Sequence, residues 1–405
     1  MKLIERTYYL NKLKDVMNIP DIKIITGIRR CGKSKLMDMF ISFLNENEDN
    51  NVIRIKLTQK EFEELKDANK FYEYVSAKYQ NNKANFLLVD EIQLCKNFEN
   101  VINNLYEEEK YDIYLTGSNA FLLSSDLATL FGGRTYELSM YPFSFEEYLK
   151  YYPEENNDLN EAFNHYVEVG GLAGSYLYKN KTDAQKYLSM LVKTTITKDV
   201  VKKFNIENED LLNMITEYLM DNVGNKTSLR NIANCLTSNT YKTNDKTVGS
   251  YVYTLCKSFL FYPFTRYDIK GKKYLESDKK YYLADISLRF AILGHKNMDY
   301  GHIYENIVAI ELLRRGYEVY IGVLKERDKD AEIDFVAIKN GEKTYIQVSD
   351  DISNQETKER EIKPLLRIKD AYPKILLANT KHEDSQIEGV KIIDLAKWLS
   401  NTSHF

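Results

Sequence analysis

Glycine and proline are scarce in this chain of 405 residues, 17 and 6 in all, too few for a linker-rich, collagenous or low-complexity protein. Cysteine is scarcer still. Cys31, Cys95, Cys235 and Cys256 lie far apart with no C-x-x-C pair, which excludes a zinc ribbon or disulfide framework and fits a reducing cytosol. No apolar run approaches the roughly 20 residues of a membrane span, and Glu5 and Arg6 interrupt the start where a signal peptide would be apolar. A soluble, cytoplasmic chain without membrane contact is expected. The net charge of −4 argues against a wholly basic nucleic-acid coat, while a hydrophobic content of 43% suffices for real cores. At roughly 150 residues per domain, several domains are expected.

Short apolar runs alternate with helix-length polar stretches over the first 120 residues. IKIIT (22–26), VIRIKL (52–57), FLLV (86–89) and IYLT (113–116) read as buried parallel strands of an α/β sheet, with 136–141 as a candidate fifth. From Pro142 the pattern turns helical, ending at Gly170 and Gly171 in one segment and near Asn205 overall. Three amphipathic segments between 211 and 261 precede two strand-like runs around a Gly-containing turn, the pattern of a winged helix. The last hundred residues return to α/β, and no internal repeat is found.

Between the first strand and the helix SKLMDMFISFL lies GIRRCGKS, which satisfies G-x-x-x-x-G-K-[ST]. In that setting the loop (Gly27, Arg30, Cys31, Gly32, Lys33, Ser34, Lys35) wraps nucleotide phosphates with backbone N–H groups. Lys33 reaches the β and γ phosphates, and Ser34 ligates Mg2+. FLLVDE then places Asp90 to hold the Mg2+ through water and Glu91 to polarise the attacking water. In YLTGSNA, Asn119 is a candidate to orient water or the γ-phosphate, or else to cap the next helix. In FGGR, Arg134 is a candidate to stabilise charge on a neighbour's γ-phosphate, or else a member of a surface ion pair.

These elements in this order resemble the AAA+ ATPases. The resemblance implies Lys33 and Ser34 as Walker A, Asp90 and Glu91 as Walker B, Asn119 as sensor 1 and Arg134 as an arginine finger acting across a homo-oligomer. GIRRCGKS, VDEIQ, LTGSNA, GGR before YPFSFEEY, VEVGGLAG and YENIVAIELLRRGYEVYIG together resemble archaeal and bacterial ATPases related to the origin-recognition and signal-transduction NTPases. The fold so implied is α/β and multidomain: an AAA+ P-loop parallel sheet (1–150), a helical lid (151–205), a winged helix (206–295) and a restriction-endonuclease-like α/β domain (296–405). ATP and Mg2+ are the implied cofactors. One departure is Ala173, where the resemblance leads one to expect Pro after the Gly pair.

Charge is unevenly spread. Residues 226–282 carry eleven cations against four anions, the footprint of phosphate-backbone contact with double-stranded DNA. Lys257, in an expected recognition helix over 247–259, and Lys270, Lys272 and Lys273 in the wing are candidate contacts. The exposed helix face is expected to carry Thr247, Ser250, Thr254 and Lys257, which offers no constellation for reading base edges. The alternative is a winged helix that docks protein.

Metal-dependent nucleases of the restriction type need a helix carboxylate, a strand Asp and a D/E-x-K on the next strand. The matching positions are Glu305, Asp334 and Gln347, with Ser349 where the Lys would stand. Gln347 is a poorer ligand for a hard cation than a carboxylate. Lys358 or Arg360 could supply the ammonium, and Glu332 is expected to face away from Asp334. A nuclease-inactive structural or sensing domain and an ATP-regulated endonuclease both remain open. So does a nucleotide-dependent switch that binds protein without DNA.

Overall fold

The computed structural model describes residues 3–117, 131–238, 241–296, 299–325, 330–380 and 383–401, with Glu276 and Ser277 described by backbone alone. The chain divides into two compact units. Residues 2–140 and 257–259 form one, and 141–256 with 260–405 form the other.

In the first unit, β1 (Ile22–Thr26), β2 (Asn50–Lys56), β3 (Ala84–Asp90), β4 (Asp112–Thr116) and β5 (Thr135–Ser139) form a sheet in the order β2-β3-β4-β1-β5. All four pairings are parallel. Every residue of β1 is buried, as are the last six of β3, which is why these strands read as unbroken apolar runs rather than alternating ones. Ile24, Ile53, Leu87 and Leu115 join Phe71, Ile102 and Leu105 of the flanking helices in one core.

The second unit opens with helices Phe145–Tyr151 and Leu159–Val169. A capping box starts the first: Ser144 Oγ accepts from the Glu147 N–H, and Glu147 accepts from the Ser144 N–H. Both helices pack on the C-terminal helix Leu395–Ser400. Residues 141–205, which include the segment expected as a lid, group with the C-terminal residues.

Gly170, at φ +68°, ends the second helix, and a Cβ there would stand 1.9 Å from Asp285 Oδ1. The turn is tied down by the Gly171 N–H donating to Asp285 Oδ2 at 2.6 Å. Ala173 donates its N–H to the Gly171 carbonyl at 3.0 Å, a bond that the expected Pro could not make.

Helices Glu209–Asp221, Leu229–Ser238 and Asp245–Lys257 precede the hairpin β6 (Phe261–Asp268) and β7 (Lys273–Leu283). The hairpin does not stand alone. β6 pairs in parallel with β8 (Glu318–Leu324) through 266–268 and 321–323. With β9 (Ala331–Lys339), β10 (Glu342–Ser349), β11 (Lys374–Ala378), β12 (Ser385–Ile387) and β13 (Val390–Asp394), it builds one eight-stranded sheet in the order β12-β13-β11-β10-β9-β8-β6-β7. A boundary at 295 thus cuts a continuous sheet. Helix Tyr300–Arg314, buried at every position from Ile303 to Leu312, packs on β7 to β10, an apolar circumference that marks a core helix.

Candidate active site

The phosphate loop follows β1 and leads into helix Lys33–Leu44, whose N-cap is Gly32 at φ +110° with no side chain capping the first turn. The Lys35 N–H donates to the Gly32 carbonyl at 3.0 Å, and the N–H groups that open a helix ahead of it have no acceptor within the helix, so their partial positive charge suits an anion. Gly27, at φ +139°, passes so close to the end of β5 that a Cβ would lie 2.1 Å from the Met140 carbonyl. Lys33 is 5% exposed. Its ammonium donates to the carbonyls of Gly27 (2.7 Å) and Ile28 (3.1 Å) and lies 3.9 Å from Cys31 Sγ. Arg6 braces the loop by donating to the Cys31 carbonyl at 2.9 Å. Arg30 and Lys35 are exposed, and Lys35 pairs with Asp38 at 3.5 Å, so these two offer the loop backbone rather than an inward side chain.

Two strands away in the sheet, the acidic pair ends β3. Asp90 is 6% exposed and accepts a hydrogen bond from the hydroxyl of Thr116, the fully buried last residue of the intervening β4. The same oxygen accepts from the Glu91 N–H at 3.1 Å. Glu91 adopts the left-handed conformation, φ +60° and ψ +50°, sparsely populated for a non-glycine residue and a mark of functional sites. Its carboxylate accepts from the Gln93 amide. Lys56 stands opposite Asp90 in the β2–β3 register, with its ammonium 4.0 Å from Asp90 Oδ2. Uncapped N–H groups, an ammonium, a hydroxyl at Ser34 and a carboxylate at Asp90 thus share the carboxyl edge of one parallel sheet, where open α/β sheets bind ligands. This donor set fits a nucleoside triphosphate with its divalent cation. The motifs pointed to Lys33, Asp90 and Glu91. Thr116 and Lys56 escaped notice because only strand pairing brings them to the acids.

Residues 20–149 match the family described as AAA domain. Over 402 residues the chain is 34% identical to an uncharacterized protein of Haemophilus influenzae, covering 98% of both. The chain belongs to one family with that protein and carries an AAA domain. A second relative, an uncharacterized protein of Methanocaldococcus jannaschii, is 28% identical over 380 residues, 90% of this chain and 82% of its own. Residues 160–299 and 300–398 match two domains of unknown function. Among solved structures, a Walker-type ATPase of Pyrococcus abyssi aligns with 71% of this chain and 95% of its own at 19% identity, with a TM-score of 0.48.

Of the other residues expected in the AAA+ site, Asn119 lies outside the described residues. Arg134 precedes β5, so it stands at the amino edge of the sheet, opposite the phosphate loop. It pairs with Glu107 and lies 5.2 Å from the Tyr106 ring centroid. A five-residue strand spans roughly 17 Å, so Arg134 does not reach its own chain's nucleotide site.

The basic segment is less available than its charge implies. Lys226 pairs with Asp278 at 3.3 Å, and Lys280 is buried. Lys270, Lys272 and Lys273 are exposed, though the Lys270 ammonium donates to the Lys325 carbonyl at 3.1 Å. Lys257 is half-buried at the end of its helix. Thr254, expected on the exposed face, is 3% exposed and donates to the Tyr251 carbonyl instead, while Tyr253 is 55% exposed.

The tail residues do converge, in an arrangement the spacing did not foresee. Glu305 and Asp334 are buried, and Lys280 of β7 joins Glu305 to Glu332, 2.8 Å from Glu305 Oε1 and 2.8 Å from Glu332 Oε1. Glu332 therefore does not face away: residues two apart on a strand share a side, as 332 and 334 do. Glu305 also accepts from the Tyr282 hydroxyl and meets His302 Nδ1 at 3.1 Å. Gln347 turns its carbonyl to the Asp334 N–H (3.3 Å) and its amide to Glu361 (3.1 Å), and the Val348 N–H donates to Asp334 at 2.8 Å. Arg360 pairs with Glu361 at the surface; the ammonium comes from the hairpin.

Burial pushes the Asp334 carboxyl well above the usual range, and nearby Glu305 adds to this. Burial alone would raise Glu305 too, but Lys280, His302 and Tyr282 hold it below. For Lys280, burial acts downward and the carboxylates of Glu305, Asp334 and Glu332 outweigh it. Among the described residues, no group of three or more His, Cys, Asp or Glu side chains has the geometry to hold a metal ion.

Proposed function

We propose that the protein binds ATP with Mg2+ and hydrolyses it, and that its nucleotide state controls engagement of DNA or a partner by the second unit. The reading rests chiefly on the Thr116 hydroxyl, which joins Asp90 and the Glu91 backbone in the strand next to the phosphate loop. In it, the backbone of Gly27, Arg30, Cys31, Gly32 and Lys35 wraps the phosphates, and Lys33 exchanges its two loop carbonyls for β and γ oxygens. Ser34 and Asp90 would hold Mg2+, which supplies charge neutralisation across the phosphates. Glu91 orients the attacking water. Positioning and fixed charge of this kind carry most of phosphoryl transfer.

Arg134, at the far edge of the sheet, serves a neighbouring copy, so hydrolysis requires a homo-oligomer. Three helices followed by a hairpin with exposed Lys270, Lys272 and Lys273 support a winged helix that contacts the DNA backbone without reading sequence; Lys257 would join them at the helix end. The setting is cytoplasmic.

The test is ATPase activity with and without double-stranded DNA, alongside nucleotide binding by Lys33→Ala. The reading requires Lys33→Ala to lose both binding and turnover, and DNA to change the wild-type rate. An unchanged rate, with no salt-sensitive DNA retention, would leave a nucleotide switch for protein partners as the better reading.

A further inference from the structure

The restriction-type fold implied for the tail calls for a divalent cation between Glu305, Asp334 and Gln347, and the residues present do not fit one. Glu305 spends Oε1 on Lys280 and Tyr282 and Oε2 on His302. One Asp334 oxygen is taken by the Val348 N–H, and the Gln347 carbonyl by the Asp334 N–H. The Lys280 ammonium, on a side chain 5% exposed, is bound to Glu305 at 2.8 Å, and its charge acts on Asp334 as well. Two further features hold Lys280 there: its second carboxylate, Glu332, and the register shift between Phe264 and Arg266. That shift separates the half of the hairpin bearing Lys280 from the half that pairs with β8.

We infer that Lys280 is a resident cation that takes the place of a divalent metal, keeping the tail free of Mg2+ and inert as a nuclease, over a latent metal site at Glu305 and Asp334. Two buried carboxyls on adjoining elements would repel one another if both ionised, and burying either charge alone is costly. A metal or a lysine can relieve that repulsion, and this chain uses the lysine. The lysine also links β7 to helix Tyr300–Arg314 and to β9, making the centre a structural joint between hairpin and tail. This inference is independent of ATP hydrolysis in the first unit.

Mn2+ binding to the full-length, nucleotide-free chain tests it, read by the loss of the free-ion paramagnetic resonance signal. Wild type is expected to take up no Mn2+ in a manner sensitive to Asp334→Asn. Lys280→Ala is expected to gain one site per chain, with Kd on the order of 0.1 to 1 mM, as for weak oxygen-ligand sites. The gain should vanish in the Lys280→Ala, Asp334→Asn double variant, and Mn2+ should raise the Tm of Lys280→Ala by several degrees while leaving wild type unmoved. If alanine collapses the fold, Lys280→Gln keeps the length without the charge, and recovery of folding on adding Mn2+ supports the inference. Asp334-dependent Mn2+ binding by wild type would overturn it, as would failure of both Lys280 variants to take up or be rescued by metal.

Discussion

The hydroxyl of Thr116 donates to Asp90 and accepts from the backbone N–H of Glu91, so one buried oxygen ties the Asp90 carboxylate to the Glu91 backbone. Thr116→Val keeps the shape and removes the hydroxyl. A hydrogen bond to a charged group contributes about 1.5 to 3 kcal/mol, so kcat should fall by roughly 10- to 100-fold. Thr116→Ser should retain most activity. Steady-state kinetics on both variants checks this, and equal losses would point to packing of the threonine methyl.

Gly27→Ala should destabilise the first unit even without nucleotide. Its Cβ would meet the Met140 carbonyl at 2.1 Å, on a backbone at φ +139°, and strain of this kind costs on the order of 1 to 3 kcal/mol before the clash is counted. Calorimetry of the nucleotide-free chain should show a lowered Tm.

Arg134→Ala should separate stability from activity. Its pair with Glu107 is exposed on both sides, so the folding cost should stay under about 1 kcal/mol. Loss of a finger acting across copies should cost about 10³-fold or more in turnover. Mixing Arg134→Ala with Lys33→Ala should restore part of the rate, because each supplies what the other lacks; failure to complement would count against a shared site.

His302 titrates above its ordinary value of 6.5 because Glu305 accepts its hydrogen bond, and Asp334 titrates high because it is buried. A group whose folded pKa is raised lends stability that is complete below its unfolded pKa and is lost as pH rises through the folded one. Glu305 has the opposite sign, its contribution being lost only in acid. The second unit should therefore lose Tm as pH rises above the ordinary histidine value of 6.5, and His302→Gln should flatten that slope.

The strands of the first sheet and the phosphate loop were legible because they are local: β1, β3 and β4 are apolar runs buried on both faces, and GIRRCGKS carries its own strand and helix context. The parts that escaped depend on pairing between distant segments. Thr116 looked like an ordinary strand end until β4 lay between β3 and β1. Lys280 counted as one of eleven surface cations, although two Tyr residues follow it and its strand inserts it among carboxylates. The wing read as a separate module because nothing local shows that residues 266–268 pair with 321–323. Asp334 and Glu305 were found from spacing, and their chemistry changed with a lysine that no tail motif contains.

Glu91→Gln tests the central claim most directly, by ATP binding and single-turnover hydrolysis measured on the same preparation. The substitution keeps size and hydrogen bonding and removes the charge that polarises water. The expected result is ATP binding close to wild type with hydrolysis reduced by about 10²-fold or more. Hydrolysis at the wild-type rate by a folded, ATP-binding Glu91→Gln protein would contradict the assignment of this site.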